Sequence, residues 1–284
     1  MTELDALWEQ RFGAGVSAPG VDSPDPEETE IPETTRLLLQ HRTHRQFRPD
    51  PIPDATLQTI LGCGFSAPSK SDLQQASAVV IDDAELRNRI ADLIPAMPWI
   101  RDCAAFVILL ADGYRIEQIC EQRGKPFAND NLDNFLAAVS DASLVLQNCI
   151  VAAEAHGLGC CPISVIRDHM AAVGDLLDLP ERVIPLAGLC LGYPVREGFV
   201  SMRLPLEVTV HRNTYDAGAL AAGLAAYDVA RDARFSIPED RQKRQGDYGI
   251  ATFYGWTEDK ARQMSKQERG DVGDYARGHG FSLV

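Results

Sequence analysis

Apolar residues recur with helical spacing in some segments of the chain and form short continuous runs in others. The helical spacing predicts helices at 33–41, 54–64, 83–94, 131–156, 167–178, 216–232, 257–268 and 270–278. The short apolar runs predict strands at 78–81, 104–110, 160–164 and 183–191, with a further extended segment at 206–210. Because helices and strands do not alternate regularly, the pattern favours an α+β fold over a doubly wound sheet.

The first 33 residues differ from the rest of the chain. The segment Asp22–Glu33 carries six acidic residues, three prolines and no basic residue, a composition that predicts a flexible, solvated linker. Before it, the apolar residues Leu4, Leu7, Trp8 and Phe12 have the spacing of a short amphipathic helix. A helix of this length is not stable alone, so we expect it to dock on the main body or on a partner subunit. We therefore predict an extension at 1–33 and one main domain at 34–284.

Charge and hydropathy make some classes of partner improbable. The chain has 27 Lys and Arg residues against 41 Asp and Glu residues, a formal net charge of −14, which does not suit binding to nucleic acid through its phosphates. The longest apolar run, Cys103–Ala111, has nine residues, whereas a membrane-spanning helix needs about 20. The N-terminus lacks the basic and apolar regions of a secretory signal. We therefore expect a cytoplasmic protein that binds neither nucleic acid nor membrane.

The seven cysteines are an odd number, and most of them lie in apolar stretches. This pattern favours free core thiols in a reducing compartment over disulfides. The adjacent pair Cys160 and Cys161 has no metal-ligand spacing, and no metal site is predicted.

The most unusual segment for an acidic protein is His41 to Arg48, which contains two histidines and three arginines. Arginine matches phosphate oxygens through its planar donor fork, and the hydroxyl of Thr43 could complete a phosphate cradle beside Arg42 and Arg45. The alternative is that these cations complement the dipole at the end of the preceding helix. The spacing alone favours neither interpretation.

Two loops are weaker candidates for ligand binding. The loop Ser66–Gln75 is rich in hydroxyl and amide groups, which suit hydrogen bonds to a heterocycle or a polyol. The segment Gly157–Ser164 contains two glycines and Pro162, which would let the main chain approach a ligand closely. Either segment is equally well explained as an ordinary loop or turn.

The remaining positions give little independent signal. Arg203 could contact a phosphate, although an exposed surface arginine is the commoner case. The basic cluster Arg241, Lys243 and Arg244 could bind a 2′-phosphate or be a solvated loop. Hydrolase motifs, paired carboxylates and P-loops are not found, so no catalytic acid or base is predicted.

Taken in order, several segments resemble the FMN-dependent nitroreductase superfamily, in particular its NADPH-dependent oxygen-insensitive nitroreductases and NADPH–flavin oxidoreductases. The matching segments are LLLQHRTHRQFRPDPIP, GFSAPSKSDLQ, CAAFVILLAD, QNCIVAAEAHGLG, RDHMAAVGDLLDLPERVIPLAGLCLGYP, RLPLEVTVHRNTYD and WTEDKARQMSKQERGDVGDYARGHGF. The resemblance covers about residues 34–284. It implies an α+β nitroreductase fold with a mixed central sheet flanked by helices, and an intertwined homodimer.

The resemblance also implies site residues. His41, Arg42, Thr43, Arg45 and Arg203 match positions that bind the FMN phosphate and ring edge, Ser69, Lys70 and Ser71 match a loop lent by the other subunit, and Pro162, Ile163 and Ser164 match the strand facing the flavin near N5. The cluster Arg241, Lys243 and Arg244 lies where the group binds the NADPH 2′-phosphate.

The implied function is an FMN-dependent NAD(P)H oxidoreductase that works by ping-pong hydride transfer, with NADPH as reductant and NADH as an alternative. The electron acceptor is a small molecule: a nitroaromatic, a quinone or free flavin. The alternatives are an FMN reductase supplying a partner monooxygenase and a flavin-binding protein without turnover. Two departures from the family pattern are Ser201, where a lysine is common, and the bulkier Val165 after Ser164.

Overall fold

The computed structural model describes residues 2–14, 16, 18 and 31–284. The first elements in chain order are α1 (Glu3–Phe12), α2 (Glu33–Gln40), α3 (Asp54–Phe65), β1 (Ala76–Val80), α4 (Ala84–Leu93), α5 (Trp99–Asp102), β2 (Ala105–Asp112), α6 (Tyr114–Gln122) and α7 (Leu132–Ala155). They are followed by β3 (Gly159–Ile163), α8 (Met170–Leu176), β4 (Val183–Gly192), α9 (Leu206–Thr209), α10 (Leu220–Phe235), α11 (Gln245–Tyr248), α12 (Trp256–Met264) and α13 (Val272–Gly278).

The chain folds into two compact units. The first unit contains residues 1–41 and 200–268, and the second contains residues 42–199 and 269–284. The acidic linker predicted at 22–33 lies mostly outside the described residues.

A four-stranded sheet forms the centre of the second unit, in the order β1-β2-β4-β3. All three strand pairings are antiparallel, whereas the resemblance implied a mixed sheet. Among the described residues the parallel component is limited to a bridge between Thr43 and Cys160. The α+β class is confirmed.

Both faces of this sheet are covered by helices. Alternate β2 residues Val107 and Leu109 pack into a cluster with α3 and α7, while Phe106 and Ile108 pack on the opposite face with α4 and α8. All eight β2 residues are buried, and the seven before Asp112 are apolar, so the strand sequence does not alternate between apolar and polar residues.

The longest helix, α7, lies against one face of the sheet. It is 24 residues long, and its mean hydropathy of 1.6 would allow it to cross a membrane by length and composition alone. In this structure Ala142, Val145, Cys149 and Ile150 are buried against the sheet core. It is therefore a core helix, and only one side of it remains exposed.

The first unit is helical in its described residues. The predicted N-terminal helix is present as α1, which begins with a capping box between Thr2 and Asp5. Glu3 forms an ion pair with Arg36 of α2 at 2.6 Å. Between α10 and α12, the carboxylate of Asp228 accepts hydrogen bonds from the Thr257 main chain at 2.9 Å and from its hydroxyl.

Two predictions about elements were wrong or incomplete. The segment 206–210 was expected to be extended, but Leu206–Thr209 forms one helical turn. Pro205 precedes this turn, and its carbonyl accepts the hydrogen bond that closes it, from Val208 at 3.1 Å. The β-branched residues of this segment have no neighbouring strand among the described residues, so their strand preference is overridden. Helices α5, α6 and α11 were not predicted.

Candidate functional site

The cationic segment that begins at Arg42 runs beside β3, the edge strand of the sheet. Thr43 forms the bridge to Cys160, and the main-chain nitrogen of His44 donates to the Cys160 carbonyl at 2.9 Å. Gly159 permits this approach, because a Cβ there would lie 2.7 Å from Cγ of His44. The fold thus fastens this segment to the unpaired edge of the sheet.

Two side chains of this segment share Glu197. The guanidinium of Arg42 forms an ion pair with the Glu197 carboxylate at 2.8 Å, and Nε2 of His44 lies 2.8 Å from the Glu197 carbonyl oxygen. Nε of Arg42 and Nδ1 of His44 are buried and have no hydrogen-bond partner among the described residues. Buried polar atoms are normally satisfied, so these two atoms mark a place where a ligand could supply the missing partners.

Arg45 is exposed and lies over the ring of Trp99, with its guanidinium carbon 5.6 Å from the ring centroid. It is also close to Cys161. Burial raises the pKa of the Cys161 thiol, and Arg45 reverses this only in part. Burial and Glu154 raise the pKa of Cys160 as well. Both thiols are therefore neutral near pH 7, and all seven cysteines are free, as the sequence predicted.

The end of β3 presents alternate residues to opposite sides. Pro162 and Ser164 are exposed, while Ile163 between them is buried in the core cluster with Phe106. The main chain is therefore anchored by Ile163, and the exposed edge beside it belongs to the same strand that holds Thr43. The second unit thus brings together two of the predicted groups, Arg42–Arg45 and Pro162–Ser164.

The loop Ser69–Ser71 is fastened to α7 by one buried carboxylate. Asp141, which is 3% exposed, accepts hydrogen bonds from the Ser69 hydroxyl at 2.7 Å, the Lys70 main chain at 3.0 Å and the Gln75 main chain at 2.9 Å. The Lys70 ammonium forms an ion pair with Asp133, in the first turn of the same helix. Asp141 was not predicted from the sequence, although an acidic residue within the apolar stripe of a helix can indicate a buried carboxylate with hydrogen-bond partners.

The segment Ser69–Gln75, which begins with this loop, contains several unusual backbone conformations. Ser71, Asp72 and Gln74 have φ values of 50°, 58° and 53°, in the left-handed region that non-glycine residues rarely occupy. Such conformations persist only where the surroundings determine them. Here the hydrogen bonds to Asp141 and the hydrogen bond from Gln74 N to Ser69 Oγ at 2.7 Å hold the backbone in these conformations.

The first unit holds His41 and Arg203. The His41 carbonyl accepts a hydrogen bond at 2.8 Å from Arg11 of α1, and the Arg203 main chain donates to the Arg11 carbonyl at 2.8 Å. The Arg203 side chain is exposed and donates to the Ser201 hydroxyl at 2.7 Å. Nothing in the sequence pattern indicated that Arg11 would connect these two positions.

The basic cluster of the first unit is mostly engaged in internal contacts. Lys243 forms an ion pair with Asp259 of α12 at 3.0 Å, and Nε of Arg244 donates to the Arg262 carbonyl at 2.6 Å. Burial would raise the pKa of Asp259, but hydrogen bonds from Lys260 and Lys243 outweigh it and hold that pKa below its ordinary value. Arg241 is exposed.

The fold agrees with comparisons to known proteins. Residues 38–193 match the nitroreductase family, and residues 201–284 match the C-terminal domain of that family. The chain therefore belongs to the nitroreductase family.

Individual relatives support the same assignment. The chain is 32% identical over 249 residues to an NADPH-flavin oxidoreductase of Vibrio harveyi, covering 88% of this chain and 98% of the relative. It is 37% identical over 182 residues to an oxygen-insensitive NADPH nitroreductase of Salmonella typhimurium, covering 64% of this chain and 74% of the relative.

Solved structures have the same fold. The B. megaterium protein NfrA2 superposes with a TM-score of 0.81 at 28% identity, covering 89% of this chain and all of that chain. The NADPH:FMN oxidoreductase from Vibrio harveyi, solved with NAD+, gives a TM-score of 0.76 at 30% identity, with 87% and 97% covered.

Proposed function

We propose that this protein is an FMN-dependent NAD(P)H oxidoreductase that transfers electrons from a reduced nicotinamide to a small-molecule acceptor. The observation that carries the proposal is the cationic segment Arg42–Arg45 along β3, the edge strand of the sheet, with the buried Nε of Arg42 and Nδ1 of His44 lacking partners among the described residues. Arginine and imidazole donors suit a phosphate or a heterocycle edge, so the residues present fit FMN. The relatives named NADPH-flavin oxidoreductase and FMN reductase support the same cofactor.

The proposal assigns FMN contacts to eight residues, with His41 and Arg203 at the phosphate end of the cofactor. The other six are Arg42, Thr43, Arg45, Pro162, Ile163 and Ser164. Ser69, Lys70 and Ser71 would contact the FMN bound by the partner subunit. The domain of residues 34–284 carries these functions, and residues 1–33 form its extension.

When bound, FMN supplies the hydride chemistry, accepting a hydride from the nicotinamide and passing the electrons to the acceptor in a ping-pong sequence. The residues of this chain bind and orient the cofactor. Arg42 and Arg45 would stabilise negative charge on it, and Ile163 anchors the strand edge against which it lies. Catalysis of this kind requires no general acid or base from the protein.

We infer that the protein acts as a homodimer in the cytoplasm. On α7, Leu132, Leu136 and Leu144 are exposed at four- and eight-residue intervals, and Phe65 at the end of α3 is also exposed. Four large apolar side chains on neighbouring helices form a surface that a second copy would cover. The seven free cysteines support a reducing compartment.

The reductant is NADPH. Fewer residues of the basic cluster are assigned to NADPH binding than the sequence predicted. Arg241 is proposed to contact the 2′-phosphate, because its side chain is exposed. Lys243 and Arg244 are instead assigned to holding the loop on α12, since both make internal contacts.

An anaerobic absorbance spectrum tests the proposal. Protein purified with FMN supplied should carry a flavin band that NADPH bleaches. Arg42→Gln should lose most of the bound FMN, whereas Arg48→Gln should retain it, because Arg48 is an exposed residue paired with Asp50. A band that NADPH leaves unchanged would contradict the reductase function and favour flavin binding without turnover. Protein that takes up no FMN would contradict both.

The acceptor class is tested by following NADPH oxidation with a nitroaromatic, a quinone or free FMN. The names of the relatives predict turnover with at least one of them. A preference for free FMN would favour an FMN reductase that supplies a partner monooxygenase. Equal inertness toward all three would contradict a general reductase.

A further inference from the structure

A buried arginine of the N-terminal helix joins two distant parts of the first unit. Arg11, 4% exposed, donates from Nε and Nη2 to the Leu39 carbonyl at 3.0 and 2.7 Å and from Nη2 to the His41 carbonyl at 2.8 Å. Its Nη1 donates to the Ser201 carbonyl at 2.7 Å. One guanidinium therefore connects the end of α2 to a segment that follows about 160 residues later.

The main chain of Arg11 takes part in the same connection. Its carbonyl accepts a hydrogen bond from the Arg203 nitrogen at 2.8 Å. Arg203 in turn donates to the hydroxyl of Ser201 at 2.7 Å. The last turn of α1 thus contacts the segment 39–41 with its side chain and the segment 201–203 with both side chain and main chain.

Helix α1 has other contacts that attach it to the unit. Glu3 pairs with Arg36 at 2.6 Å, and Arg234 of α10 donates to the Gln10 carbonyl at 2.9 Å. Gly13 lies where a Cβ would be 2.8 Å from Cε of Met202. These contacts attach the helix at points other than Arg11, so a substitution of Arg11 leaves other attachments of α1 in place.

The planar guanidinium presents its donors in a fixed fork, so the carbonyls of His41 and Ser201 are held at a set separation. Without it, both part-buried carbonyls would lose this donor, and each segment could move independently. Small displacements of this kind are costly at a binding site, because phosphate contacts depend on donor positions within fractions of an ångström.

We propose that Arg11 is a positioning residue for the phosphate end of the flavin, holding His41 and Arg203 in the arrangement that binds FMN. The inference rests on the proposed function, which assigns these two residues to the phosphate. Through Arg11, α1 would contribute to flavin binding, although the helix lies before residue 38, where the family match begins.

The test compares FMN with riboflavin, which lacks the phosphate, in titrations of the full-length apoprotein followed by quenching of flavin fluorescence. Arg11→Met should weaken FMN binding about ten-fold while changing riboflavin binding less than about two-fold. Arg11→Lys should also weaken FMN, because one ammonium cannot bridge both carbonyls. Arg234→Met is the matched control, since it loosens α1 without touching His41 or Ser201, and it should leave both affinities unchanged.

The outcomes separate this inference from the proposed function. A wild-type protein that binds no FMN contradicts the proposed function itself. A wild-type protein that binds FMN, with Arg11→Met showing the same ratio of FMN to riboflavin affinity, overturns the role of Arg11 alone. If circular dichroism finds Arg11→Met unfolded, Arg11→Lys decides, and a wild-type affinity ratio in that variant overturns the proposal.

Discussion

Asp141 is the residue on which the loop Ser69–Ser71 most depends. It is buried in the long apolar helix, and its two oxygens accept all three of the hydrogen bonds described above. A buried carboxylate needs such donors to offset its loss of hydration. Placed in the middle of α7, it links the helix that packs on the sheet to a loop with three strained residues.

Replacing Asp141 with Asn should destabilise the protein and weaken FMN binding. The amide nitrogen cannot accept a hydrogen bond, so the Ser69 hydroxyl or a main-chain nitrogen loses its partner, at a cost of about 1–3 kcal/mol. Urea unfolding of the apoprotein and an FMN titration measure the two effects.

Asp133→Asn is the matched control, because it acts on the same loop through Lys70 but lies at the surface, where an ion pair contributes less than about 1 kcal/mol. Equal effects of the two substitutions would mean that burial of Asp141 gives it no special role. No loss of stability in Asp141→Asn would contradict the anchoring role.

At the scale of elements, the polar segment before α12 is more ordered than its sequence suggests. Arg262 is 4% exposed and donates to the carbonyls of Lys243 and Gly249 at 3.1 and 2.7 Å. Lys243 reaches back to Asp259 of the same helix. The basic cluster, for which the sequence left a 2′-phosphate site and a solvated loop as alternatives, is therefore divided into anchoring residues and one exposed arginine.

Substitutions in this segment should separate binding from stability. Arg241→Ala should raise the KM for NADPH about ten-fold with little change in the KM for NADH, because only NADPH has the 2′-phosphate. Lys243→Ala should instead lower the melting temperature and affect both nucleotides alike. Steady-state kinetics with each nucleotide and a thermal melt check both expectations. If Arg241→Ala affected NADH equally, the 2′-phosphate contact would have to lie elsewhere.

For the whole molecule, the exposed leucines of α7 predict self-association. Leu136 and Leu144 are 51% and 42% exposed, two turns apart on the same side of the helix. Changing both to Glu should produce a monomer with little bound FMN, since charges in an apolar interface are costly to bury. Size-exclusion chromatography with light scattering measures the mass, and absorbance measures the flavin.

The control for this experiment is Ile119→Glu on α6, an apolar residue of similar exposure at 45% that lies outside the α7 surface. It should leave the mass and the flavin content unchanged. A double variant that remains dimeric would place the interface on another surface, and a monomeric wild-type protein would contradict the dimer.

The sequence by itself determined most of the long helices and strands and the class of the fold. The periodic helix at 131–156, the continuous run at 104–110 and the cationic segment at 41–48 were visible because each depends on neighbours within a few residues. The prediction of an extended segment at 206–210 was wrong because its β-branched residues have no neighbouring strand among the described residues. Local sequence preference does not show which segments will be neighbours in the fold.

Only the tertiary structure decided which polar groups act together. Arg11 reaches Ser201, Asp141 reaches Ser69, and Lys243 reaches Asp259 across separations of 190, 72 and 16 residues. Hydrogen bonds between distant segments follow from packing, because a buried charge must find donors or acceptors wherever the fold places them. The sequence shows which polar residues are present, but the fold determines which of them are hydrogen-bond partners.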